Sequence, residues 1–69
     1  MIHLEVNWKD ENGEPKVRRD LRPMAFNYDS SANTLAIYNN IEQWYKRIPY
    51  KLFENVTSVE YWDDDKDRV

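Results

Sequence analysis

The stretch Phe26–Phe53, FNYDSSANTLAIYNNIEQWYKRIPYKLF, decides the fold. Its aromatic and β-branched runs break at Asp29–Asn33 and again at Asn39–Asn40, two turn signals in succession. Within Thr34–Tyr38, Leu35 and Ile37 alternate with Thr34, Ala36 and Tyr38, the period of a half-buried strand. Asn39 and Asn40 both tolerate positive φ, which a two-residue hairpin turn needs at its two centres. That turn sets Leu35 opposite Trp44 and Tyr38 opposite Ile41, with residues 41–48 as the next strand. A helix competes for the same residues: Ile41, Trp44, Tyr45 and Ile48 fall at i, i+3, i+4 and i+7, and Asn40 can cap it with Gln43 answering. So short a segment, rich in aromatic and β-branched side chains and closed by Pro49, makes a weak helix, and the strand is the preferred expectation. Pro49 then opens a short helix, Pro49–Asn55, that turns Tyr50 and Phe53 toward the sheet.

Outward from this centre the pattern stays β-like. Ile2, Leu4, Val6 and Trp8 alternate with His3, Glu5, Asn7 and Lys9, the clearest period-2 signal in the chain. Asp10–Pro15 (DENGEP) is a turn, with Asn12 and Gly13 expected at positive φ. Lys16–Leu21 returns as a second strand with Val17 and Leu21 on one face around Arg19. Pro23 breaks the pairing, a further strand starts at Met24 or Ala25, and Thr57–Trp62 places Val59 and Tyr61 together. The expected architecture is α+β and mostly β: a small antiparallel meander of four to six strands with one short helix after Pro49. Residues 1–62 form one domain, and residues 63–69 an acidic tail.

Tyr28-Asp29, Leu35-x-Ile37, Tyr45-x-x-Ile48-Pro49, Leu52-Phe53 and Thr57-x-x-x-Tyr61-Trp62-Asp63 together resemble the KTSC domain, over roughly residues 25–63. That family occurs at the C-terminus of some lysyl-tRNA synthetases and as stand-alone short proteins. The resemblance implies a β-meander with a helix and no established catalytic activity. Ser58-Val59 stands where the family has Lys-Gly, and the segment between Pro49 and Thr57 is about one turn shorter than the family's helix.

Composition narrows the function. Sixty-nine residues without cysteine must build a core from side chains alone, near the lower size limit for folding unaided. A cysteine-free chain with no long apolar run suits the reducing cytoplasm and needs no membrane. One Gly allows no phosphate-cradling loop, so no cofactor is expected. His3 is the single histidine and sits on the polar face of a terminal strand, which argues against a metal site or a Ser-His-Asp triad. Asp29 reads as a turn former, and the other carboxylate pairs lie in turns and the tail, where both stay ionised.

Two sets of residues stand out as candidates for binding. Three Trp, five Tyr and two Phe exceed what one face of a small sheet hides, so Tyr38, Trp44, Tyr45 and Trp62 are the expected partner-binding anchors. Arg18, Arg19 and Arg22 on one side, and Asp63, Asp64 and Asp65 on the other, form the expected charged rim. Three functions remain. The first is a non-enzymatic module docking on a larger host or complex protein, of the kind that phage and mobile elements encode as short accessory or inhibitor proteins. The second is an RNA accessory module using the basic 16–22 strand, which a net charge of −3 opposes. The third is a structural subunit that self-associates through an edge strand.

Overall fold

The computed structural model describes residues 2–63, in which six strands and one helix follow in the order β1 (Ile2–Lys9), β2 (Pro15–Leu21), β3 (Ala25–Asp29), β4 (Thr34–Tyr38), α1 (Ile41–Lys46), β5 (Lys51–Phe53) and β6 (Val56–Asp63). They form two three-stranded antiparallel sheets, β2-β1-β6 and β3-β4-β5. The mostly β, α+β class therefore holds. The inner faces of the two sheets meet. Leu4 and Val6 from β1 pack with Leu35 and Ile37 from β4, Phe53 from β5 and Val56 from β6. Trp8 tilts against Phe53 at 4.7 Å between ring centroids, and Phe26 against Tyr61 at 5.3 Å. The alternations read from β1 and β4 thus point as expected: Leu4, Val6 and Leu35 are fully buried.

Local chemistry sets the turns. Asp29 Oδ1 accepts hydrogen bonds from the Ser31 and Ala32 amides and from Ser31 Oγ, and Asn33 closes the β3–β4 turn at φ 57°. The β1–β2 loop is longer than a two-residue hairpin. Asp10 Oδ1 accepts from the amides of Asn12 and Glu14, and of the pair Asn12-Gly13 only Gly13 takes positive φ, at 79°. At the β5–β6 corner the chain crosses from one sheet to the other through Asn55 at φ 56°, and two backbone bonds tie the crossing: Val56 N–H to Asn33 O and Lys9 N–H to Asn55 O.

Two bulges re-aim side chains. Between Leu4↔Leu21 and Val6↔Arg18, two steps on β1 face three on β2, and Asp20 absorbs the excess at φ 57°. Val17 and Leu21, expected on one face, are therefore split: Val17 pairs with Asn7 on the outer side, and Leu21 with Leu4 in the core. The second bulge lies at Thr57, whose hydroxyl donates to the Asn7 carbonyl, so that both Val56 and Val59 reach the core.

The helix is where the expectation fails. It precedes Pro49, and residues 51–53, expected inside a helix Pro49–Asn55, form the third strand of the second sheet. Asn39-Asn40 make no hairpin, and Leu35 faces Tyr28 and Phe53, not Trp44. Capping decided the outcome. Asn40 is extended (φ −148°, ψ 169°), its Oδ1 accepts from the Gln43 amide at 2.8 Å, and Gln43 Oε1 accepts from the Asn39 amide at 2.7 Å. Arg47 in the left-handed region ends the helix as Ile48 N–H bonds back to Gln43 O. An i,i+4 pair, Glu42–Lys46 at 2.9 Å, spans the helix between its caps. Propensity for a strand was outweighed by satisfied backbone groups at both helix ends.

Candidate interaction surface

Helix α1 follows β4 and packs on the sheet through Trp44. Trp44 stands edge-on to Tyr38 at 5.0 Å, and Arg47 covers the indole at 5.2 Å. Tyr38 occupies the outer face of its sheet, opposite Leu35 and Ile37, and this indole helps leave it only 4% exposed. Tyr38 is therefore no anchor for a partner, and Trp44 is half-buried as its lid. The two rings expected on adjacent strands instead hold helix and sheet together.

The opposite side of the helix is another matter. Ile41 is 68% exposed, Tyr45 84% and Ile48, just past the helix end, 61%, and no residue of α1 is buried. A six-residue helix is too short to persist without its caps. Here those caps hold three large apolar side chains in water. Of the four expected anchors, Tyr45 is fully presented, and Ile41 and Ile48 join it. The i, i+4, i+7 spacing carried that signal, and choosing the strand over the helix concealed it.

Trp62 is a different kind of surface. On the outer face of β6 it stacks flat on His3 across the strand pair, 5.5 Å between centroids with planes 6° apart, and remains partly exposed. His3 is buried, not solvated as its polar-face position suggested. The bulge explains the difference: it turns Asp20 toward the ring, and the carboxylate accepts from Nδ1–H at 2.6 Å. Arg22 Nη2 donates to the other Asp20 oxygen at 2.8 Å. These bonds, from Arg22 first and then from His3, hold the Asp20 pKa at about 2. Asp29 is also lowered, by the Ser31 hydroxyl first and then by the Ala32 amide.

The basic strand is largely neutralised. Lys16 meets Asp10 at 3.8 Å, Arg19 meets Glu5 at 3.3 Å and Arg22 meets Asp20 at 2.8 Å. The Arg18 side chain has neither an ion pair nor a hydrogen bond among the described residues. Of the acidic rim, Asp63 ends β6 opposite Ile2, one residue inside the segment read as a tail, while Asp64 and Asp65 lie outside the described residues. Among the described residues no cluster of His, Asp and Glu could hold a metal ion, and no helix is long and apolar enough to cross a membrane.

No protein-family model, no curated protein and no solved structure matches the chain.

Proposed function

We propose that this chain is a non-enzymatic cytoplasmic binding module that docks on a larger protein through Ile41, Tyr45 and Ile48. The observation that carries the reading is a helix capped at both ends that buries none of its own residues. Caps contribute about 1 kcal/mol each, enough to hold a helix in place but not to explain an apolar outer face. Apolar side chains of this kind, held in water on a capped helix, are what a partner's groove receives from an amphipathic helix. Lys46, Glu42 and Arg47 supply a polar border of both signs.

A second copy of the chain is a poorer occupant. The three side chains offer roughly 400 Å² between them, so a symmetric pair would bury about 800 Å², below the ~1,200 Å² of a specific interface. A partner with a preformed groove makes up the difference. RNA is disfavoured by the ion pairs on β2, since three of the four basic residues of the 16–22 strand already meet carboxylates.

The test compares wild type with Tyr45→Ser in affinity capture from the native host, followed by binding measurements on the captured protein. Tyr45 is exposed, so the variant should melt within about 0.5 kcal/mol of wild type. It should bind the partner at least about 30-fold more weakly, the ~2 kcal/mol of a true anchor. A partner bound equally well by the variant would refute the reading. So would dimerisation at micromolar concentration in sedimentation experiments that Tyr45→Ser abolishes.

A further inference from the structure

We infer that the open edge between β2 and β5 is a binding site for a carboxylate carried on an apolar body about the size of one ring. The two sheets close on each other where Phe26 meets Tyr61, but at the opposite edge they leave a cleft of about 300 Å³. Its walls are Leu21, Ile37 and Phe53 from the core, Tyr50, and the two cations Arg18 and Lys51. This volume lies at the small end of ligand sites, with room for one ring or a branched aliphatic chain.

The charges in the cleft set it apart. Thirteen Asp and Glu outnumber ten Lys and Arg in this chain, yet among the described residues no acid lines the cleft. The register explains why Arg18 is there. It pairs with Val6, whose side chain is core, so Arg18 points toward the inner face while its neighbour Arg19 turns out to Glu5. The three other basic residues between 16 and 22 each have a carboxylate, and Arg18 has none among the described residues. Lys51 stands in register with Ile37 and leans over the Phe53 ring at 5.7 Å, again without a carboxylate. Tyr50 is fixed on the wall by its amide, which donates to the Ile37 carbonyl at 2.8 Å. A shallow neighbouring hollow of about 240 Å³ shows the contrast, because it mixes Lys9 and Lys51 with Asp10, Glu11 and Glu54 and selects no charge.

Two cations with no carboxylate among the described residues, set over Leu21, Ile37 and Phe53, match an anion at one end and hydrocarbon at the other. Arg18 can receive the carboxylate through two parallel hydrogen bonds, with Lys51 as a point charge beside it. None of Ile41, Tyr45 and Ile48 lines the cleft, so the site does not depend on the docking reading. Its ligand chemistry is shared by a free aromatic or branched-chain acid and by a peptide ending in an apolar residue.

The experiment is an amide-resolved NMR titration of the intact chain with phenylacetate, with phenylacetamide and with N-acetylphenylalanine. Phenylacetate should shift Leu21, Ile37, Tyr50 and Lys51 saturably, with a Kd on the order of 1 mM for a ligand so small. Phenylacetamide should bind about tenfold more weakly or worse, and Arg18→Gln and Lys51→Gln should each weaken phenylacetate about tenfold. Both residues are exposed, so the variants should keep the wild-type spectrum elsewhere. If N-acetylphenylalanine binds more tightly than phenylacetate, the source is a peptide end; if not, it is a free acid. Absence of saturation up to about 20 mM with either acid overturns the inference, as does equal binding of the neutral amide.

Discussion

Replacing Asn40 tests the feature on which the surface depends. Its side chain accepts from the Gln43 amide at 2.8 Å, and its backbone is extended, not left-handed. Asn40→Ala removes that acceptor and should cost about 1 kcal/mol. The loss would fall on α1 first, because the helix is six residues long, buries none of them and rests on the sheet through the half-buried Trp44. Hydrogen exchange should therefore accelerate by about fivefold at the amides of Trp44, Arg47 and Ile48, which bond within the helix and its end, while the Leu4 and Val6 amides keep their protection. Near-ultraviolet circular dichroism should weaken as Trp44 leaves Tyr38. Asn40→Ser supplies the control. Serine caps a helix about as well as asparagine but is strained at positive φ, so it should be neutral here and costly in a hairpin turn. If Ser and Ala prove equally damaging while Gly stabilises, residue 40 is a turn centre and the helix assignment is wrong.

The other predictions concern the core and the acid limb. Leu4→Ala, Leu35→Ala and Ile37→Ala, at positions 0 to 3% exposed, should each cost roughly 2–5 kcal/mol in urea unfolding, a large share of the ~3–10 kcal/mol expected for a domain of this size. Wild-type midpoints in all three would mean that the packed face is misassigned. Asp20 has its pKa lowered from 3.8 to about 2, so its contribution is fully present above pH 3.8 and is lost as pH falls toward 2. Asp20→Asn, which tolerates the same left-handed backbone, should therefore flatten the fall in melting temperature across that window; an unchanged acid limb would refute the linkage.

What the sequence revealed, and what it concealed, follows from the range of each interaction. β1 and β4 were legible because side chains at alternate positions must share a fate once one face is buried, and Leu4, Val6, Leu35 and Ile37 are that face. The Asp29 turn was legible because its hydrogen bonds reach no further than Ala32. The helix was a close contest between two local codes: β propensity in Ile41–Ile48, and caps at Asn40 and Arg47. Only the second satisfies backbone groups within the segment itself, and it prevailed. The bulge at Asp20 could not be read at all. It is fixed by a cross-strand count and by His3, seventeen residues away, and it both splits Val17 from Leu21 and buries the histidine.

That bulge also bears on which surfaces are left for binding. Edge strands invite pairing with other chains, and β2 is an edge seven residues long. It begins at Pro15, twists at Asp20 and bears Lys16, Arg18 and Arg19, three devices that each discourage an incoming strand. β5, an edge of the other sheet, is only three residues long. Self-association through either of these edges is thereby opposed, although both flank the cleft. What β2 and β5 present in common is not their backbone but Arg18 and Lys51, two charges without carboxylates among the described residues of a chain that has more acids than bases. The same strand that discourages a neighbour along its edge carries Arg18 at its inner face, and α1 leaves Ile41, Tyr45 and Ile48 exposed on its outer side.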